Sequence, residues 1–177
     1  RRGWTVAIVI TLLSWGCLWA GTPTATLDRA IKTVERGNYP EAWAQLVSLP
    51  VASLSIQEQN RARYLYGHVA LRLKRYPEAL QAFGEVVGQY PGLGDYAIWN
   101  VARMHQELNA ERAYVETLRL LLVRFPQSRL VPQARLALGR QLISINGQLL
   151  EGVRVLEELV NQAPNDPAVP EAYLWLG

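Results

Sequence analysis

The residues on which most catalytic and metal centres are built are scarce in this sequence. Among its 177 residues there is one cysteine, Cys17, and there are two histidines, His68 and His105. One thiol supplies no disulfide framework. Neither histidine has a further ligand at metal spacing, so both are assigned to helix packing and no metal site is expected. No Ser, Cys or Thr carries the local signature of an activated nucleophile. No glycine-rich loop opens a helix after a strand, which removes phosphate cradling of that kind. Glu157 and Glu158 are adjacent, so they point in different directions on a helix and form no dyad by themselves. Glu111, Glu116 and Glu151 fall on polar faces and read as solvated. No catalytic residue and no cofactor is assigned.

Charge of one sign is also lacking. Lys and Arg number 18 and Asp and Glu 15, a net charge of +3. Arg1 and Arg2 belong to an N-terminal leader; setting them aside leaves 16 basic residues against 15 acidic. The basic residues are scattered along the chain with no stripe, which argues against nucleic acid as a partner. Strands are not expected either, because Ala, Leu, Arg, Glu and Gln dominate the periodic segments.

What is present begins with that leader. Arg1-Arg2-Gly3, the apolar run from Trp4 to Ala20, and the small pair Ala20-Gly21 form a secretory signal that engages the membrane during export. A retained anchor is the alternative, with Cys17 a candidate for lipidation and the twin Arg a weaker export motif. An export signal without a disulfide framework points to a bacterial periplasm. Residues 1–25 are therefore assigned to a signal peptide or membrane segment, and 26–177 to one helical domain.

That domain repeats itself. Tyr39-Pro40-Glu41-Ala42 recurs as Tyr76-Pro77-Glu78-Ala79, 37 residues later. Val131 to Gly139 (VPQARLALG) and Val169 to Gly177 (VPEAYLWLG) share a pattern at a spacing of 38. Between Ala62 and Pro91 lie two amphipathic helices joined at Lys74-Arg75-Tyr76. Gly67 and Ala79 are small where the helices must meet, Phe83 follows on the face of Ala79, and Pro91 stops the pair. Ala102 takes the place of Gly67 in the next unit, Tyr114 replaces Ala79 and should widen that hairpin, and Gly139 closes the repeated nonapeptide.

This small–small–aromatic–Pro spacing resembles a tetratricopeptide repeat. It implies an all-α fold, a right-handed solenoid of antiparallel helix pairs, in which Gly67, Ala79, Phe83, Ala102 and Gly139 serve repeat packing. Tyr64, Tyr66, Tyr96 and Trp99 fall on first helices, which line the concave face in such stacks. They either bind a sugar or peptide there or pack between repeats.

Local punctuation sharpens the boundaries. Thr22 to Thr26 is expected to be a polar break before a first helix from Leu27 to Glu35. Gly37 is placed to cap it in the left-handed region. Ser55 with Glu58 forms a capping box. Asp95 and Ser128 are expected near helix starts, and Ile145-Asn146-Gly147 holds an extra residue between helices. Tyr173-Leu174-Trp175-Leu176 forms an uncovered apolar half-hairpin, which implies that more protein follows.

A second resemblance is finer. Tyr90-Pro91-Gly92-Leu93-Gly94-Asp95-Tyr96-Ala97, continuing to Val101-Ala102-Arg103, resembles the N-terminal helical region of soluble lytic murein transglycosylases. Arg124-Phe125-Pro126-Gln127-Ser128-Arg129-Leu130 through Gly139 is similar to a following segment of that family, while Gly92-Leu93-Gly94 replaces a more apolar run. The resemblance implies a non-catalytic superhelical scaffold that positions glycan or protein, with peptidoglycan or periplasmic proteins as partners. The family's catalytic Glu-Ser motif is not in this sequence, so no catalytic residue carries over. The alternative is an exported interaction module, either an envelope assembly lipoprotein or an adaptor of the Tol–Pal system.

Overall fold

The computed structural model describes residues 21–177, and the signal, anchor and Cys17 readings lie outside the described residues. Among the described residues the regular elements are all helical, and no helix is long and apolar enough to cross a membrane. The backbone falls into two compact units, with the division at Ala62 and Arg63.

In the first unit, α1 (Pro23–Glu35) packs against α2 (Tyr39–Val47). The expected polar break is instead the first turn of α1. Thr22 accepts a hydrogen bond from the Ala25 amide at 3.2 Å, and Pro23 supplies a φ already suited to a helix. Leu27 and Ala30 of α1 and Ala42 and Leu46 of α2 are buried. A 3-10 turn (Val51–Ser53) leads to α3 (Ile56–Arg72), which spans the division between the units. The Ser55–Glu58 capping box forms: the Ser55 amide donates to Glu58 Oε2 at 3.0 Å, and the Glu58 amide donates to Ser55 Oγ at 3.3 Å.

In the second unit the end of α3 is followed by α4 (Tyr76–Gln89), α5 (Pro91–Glu107), α6 (Glu111–Arg124), α7 (Val131–Ser144), α8 (Leu149–Gln162) and α9 (Val169–Leu176). From α4 onward each helix packs on the next. Pro91 does more than stop α4, since it begins α5. Asp95 consequently sits inside α5 and caps nothing. Ser128 lies in the turn before α7, where its Oγ accepts from the Leu130 amide at 3.1 Å.

One backbone device recurs. Gly37, Lys74, Asn109 and Gly147 all have positive φ (76°, 58°, 53° and 83°), and each stands two residues before the second helix of its hairpin. In three of these turns the next amide reaches back five residues: Asn38 to Thr33 O (3.1 Å), Arg75 to Ala70 O (2.8 Å) and Ala110 to His105 O (2.9 Å). The left-handed residue bends the chain far enough to satisfy a carbonyl that the helix end leaves open.

The core of the second unit is continuous along α5, α6 and α7, with Ile98, Ala102, Tyr114, Leu118, Leu121, Ala134 and Leu142 buried together. A second cluster joins Leu136 of α7 to Leu156 and Leu159 of α8 and Val169 and Ala172 of α9.

Candidate interaction surface

Helical periodicity places Tyr64, His68 and Arg72 on one stripe of α3 and Tyr96, Asn100, Arg103 and Glu107 on one stripe of α5. Asn100 ties the two helices together. Only 5% exposed, it donates through Nδ2 to the Tyr64 hydroxyl at 3.1 Å and to the Tyr96 carbonyl at 3.0 Å. The Tyr64 ring lies parallel to His68 at 6.5 Å and tilts against Phe83 at 5.8 Å. Burial raises the Tyr64 phenol above its ordinary value, partly opposed by the Asn100 bond. Burial likewise raises Tyr66.

Beside this junction lies a cleft of about 170 Å³, walled by His68, Leu71, Arg72 and Lys74 on one side and by Asn100, Arg103 and Glu107 on the other. Arg72, Lys74 and Arg103 are exposed, and Leu71, which also lines the cleft, is buried. Basic residues that look scattered in sequence therefore converge here, because the α3 and α5 stripes face a common space. Burial, with the Arg72 and Arg103 guanidiniums adding to it, pushes the His68 imidazole below its ordinary value. Glu107 accepts from the Tyr76 hydroxyl at 3.2 Å.

A smaller cleft of about 120 Å³ follows along the stack, lined by Gln106, Tyr114, Arg140, Gln141, Ser144 and Trp175, among others. Arg140 bonds Glu171 at 2.7 Å and stands 5.2 Å from the Trp175 ring centre, a cation–π contact.

Of the four aromatics singled out in the sequence, Tyr64 and Tyr96 share Asn100, and Tyr96 is 42% exposed. Trp99 packs on the α5–α7 core, and Tyr66 is half-buried. Among the residues expected at helix contacts, Ala79, Phe83 and Ala102 have no exposed surface. Gly67 lies against Phe83 and Ala82: a β-carbon on Gly67 would come within 3.0 Å and 3.2 Å of them. At Gly139 an added β-carbon would sit 2.5 Å from Leu156. Two close approaches were not singled out, Gly94 against Phe125 and Gly152 against α7. Neither carries a sequence signal beyond being glycine within a helix. Among the described residues no group of three or more His, Cys, Asp or Glu could hold a metal ion.

The segments that carry the transglycosylase resemblance meet in space. Ser128 Oγ donates to Asp95 Oδ2 at 2.5 Å, and Gly94 makes room for the Phe125 ring. These residues are thus accounted for by the junction of α5 with the turn before α7.

Sequential helix hairpins with left-handed turns, each helix of the second unit from α4 onward packed on the next, define an all-α, tetratricopeptide-like fold. Solved structures agree. A kinesin light chain from Podosopora anserina with nearly identical TPR-like repeats superposes with a TM-score of 0.63 at 19% identity, covering 86% of this chain and 82% of that one. MamA residues 41-end from Desulfovibrio magneticus RS-1 gives 0.61 at 15% identity, over 86% and 90% of the two chains. A MamA RS-1 double mutant gives 0.63 at 15%, over 87% and 92%. No family model and no curated protein sequence matches the chain.

Proposed function

We propose that this chain is a non-catalytic scaffold that binds a protein partner through its first helices, α3 and α5, in the periplasm of a bacterium. The observation that carries this reading is the convergence of exposed polar and aromatic side chains on facing stripes of those helices, beside a concave cleft. Tetratricopeptide-like folds generally serve as protein-interaction scaffolds, and the leader of the sequence supports export. The direct test places a photo-reactive benzoylphenylalanine at Tyr96, on the first-helix face, or at Val123 of α6, which is 80% exposed. In an envelope extract of the source bacterium, protein adducts should arise from position 96 and not from 123. Adducts from 123 alone would overturn the reading.

A narrower reading, that the partner system is a peptidoglycan-acting lytic transglycosylase, is supported by the Tyr90–Ala97 and Arg124–Leu130 segments. It predicts that the chain sediments with purified peptidoglycan and that Tyr96→Ala weakens sedimentation. A chain that stays in the supernatant leaves the envelope adaptor.

A further inference from the structure

We propose that the cleft where α5, α7 and α9 adjoin is a subsite for one neutral sugar residue of a glycan. The inference goes beyond the protein-scaffold reading, and the segments that resemble a transglycosylase supply none of Tyr114, Gln106, Gln141 or Trp175. It begins with a residue out of pattern. The place of Tyr114 is taken in the other hairpins by Ala42, Ala79 and Gly152, all buried and all small. Tyr114 is only 6% exposed and belongs to the α5–α7 core, yet it also lines the cleft beside Ala137 and Arg140 of α7. Among the described residues its hydroxyl makes no hydrogen bond. A buried phenol without a partner costs stability that Phe in its place would not, so the hydroxyl marks a place for a ligand. Burial, partly opposed by Arg140, raises this phenol above its ordinary value and keeps it a neutral donor.

The rest of the wall defines the ligand. Arg140, the single cation lining the cleft, is neutralised by Glu171 at 2.7 Å. The other polar groups are uncharged: the carboxamides of Gln106 and Gln141, and Ser144 Oγ, which donates to the Arg140 carbonyl and keeps its capacity to accept. An ionic ligand would find no charge left to meet it. A sugar hydroxyl is donor and acceptor at once, which matches a phenol and carboxamides that offer both. The exposed Trp175 ring, held by the Arg140 guanidinium at 5.2 Å, gives an apolar plate for the C–H face of a sugar. A volume of about 120 Å³ suits the edge of a single ring.

The probes are cellotetraose, which offers hydroxyls alone, and tetra-N-acetylchitotetraose, which adds acetamido groups. Each is titrated into the full chain by isothermal calorimetry. Saturable binding of either supports the subsite, and the preference shows which group fills the cleft. Tetragalacturonate, the anionic control, and N-acetyltetraalanine amide, the peptide control, should not bind. Tyr114→Phe should weaken sugar binding about fivefold, through loss of one neutral hydrogen bond. Trp175→Ala should weaken it about tenfold. Tyr173→Ala removes an exposed aromatic of α9 outside the cleft and should leave binding unchanged. Tyr114→Phe should also melt no lower than the unaltered chain, because no partner within the chain is lost. The subsite is overturned if neither sugar binds, if either control binds as tightly as the sugars, or if Tyr114→Phe binds undiminished. Equal losses in Tyr173→Ala and Trp175→Ala overturn it too, as does a lower melting temperature of Tyr114→Phe, which would give the hydroxyl a partner inside the fold. Adducts at position 96 do not depend on these outcomes, so the scaffold reading stands or falls separately.

Discussion

Gly139 of α7 and Gly152 of α8 face each other at a close approach of the two helices, and the consequence can be put in numbers. A β-carbon on Gly152 would lie 2.7 Å from Ile143 Cγ1 and 2.8 Å from both the Gly139 carbonyl oxygen and the Ile143 amide nitrogen. Two of these three atoms are backbone, so no side-chain rotation relieves the clash and α7 and α8 must separate. Overpacking of this kind costs about 1–3 kcal/mol. Replacing Gly by Ala within a helix returns about 1 kcal/mol of propensity. With backbone atoms in the way the upper part of the range applies, and Gly152→Ala should lose about 1–2 kcal/mol net. Gly84, in α4, is the control, because nothing lies within 4 Å of a β-carbon there. Gly84→Ala should therefore gain about 0.5–1 kcal/mol. At about 2–4 °C per kcal/mol for a chain of this size, Gly152→Ala should melt about 2–8 °C lower and Gly84→Ala about 1–4 °C higher. Thermal denaturation followed by far-ultraviolet circular dichroism reads both. If Gly152→Ala is as stable as Gly84→Ala, the close approach of α7 and α8 is wrong.

Two further outcomes are expected. Lys74→Gly should raise stability by about 1 kcal/mol, since a left-handed residue with a β-carbon costs about that much relative to glycine. A urea midpoint that does not move would show that the turn stores no strain. His68 has a folded-state value below its ordinary 6.5, through burial and then Arg72 and Arg103, so the unfolded chain binds its proton more readily. Its contribution is present above about pH 6.5 and is lost as pH falls through the depressed value. Between pH 7.5 and 5 the chain should lose more stability than His68→Gln does; parallel losses would refute this.

The sequence by itself determined whatever depends on neighbours a few residues apart. Apolar periodicity marked the helices, Pro40 and Pro77 their starts, Ser55 and Glu58 a capping box, and Gly37 and Gly147 two of the turns. A cap or a turn is decided within one turn of chain, so its residues stay adjacent in the sequence. Even locally the reading stopped short where one residue type serves two purposes. Pro91 both ends one helix and begins the next, which carried Asp95 away from a helix start, and Lys74 and Asn109 occupy a conformation that glycine usually announces. Only the tertiary structure decided which stripes face each other. It brought Asp95 to Ser128, Gly152 to the α7 backbone, and Arg72 and Lys74 to Arg103 across a cleft that no spacing rule foretells. The register between helices is a sum over many apolar contacts along α4 to α9, each weak and none confined to one segment. A basic residue therefore looks isolated until that sum has placed its helix beside another.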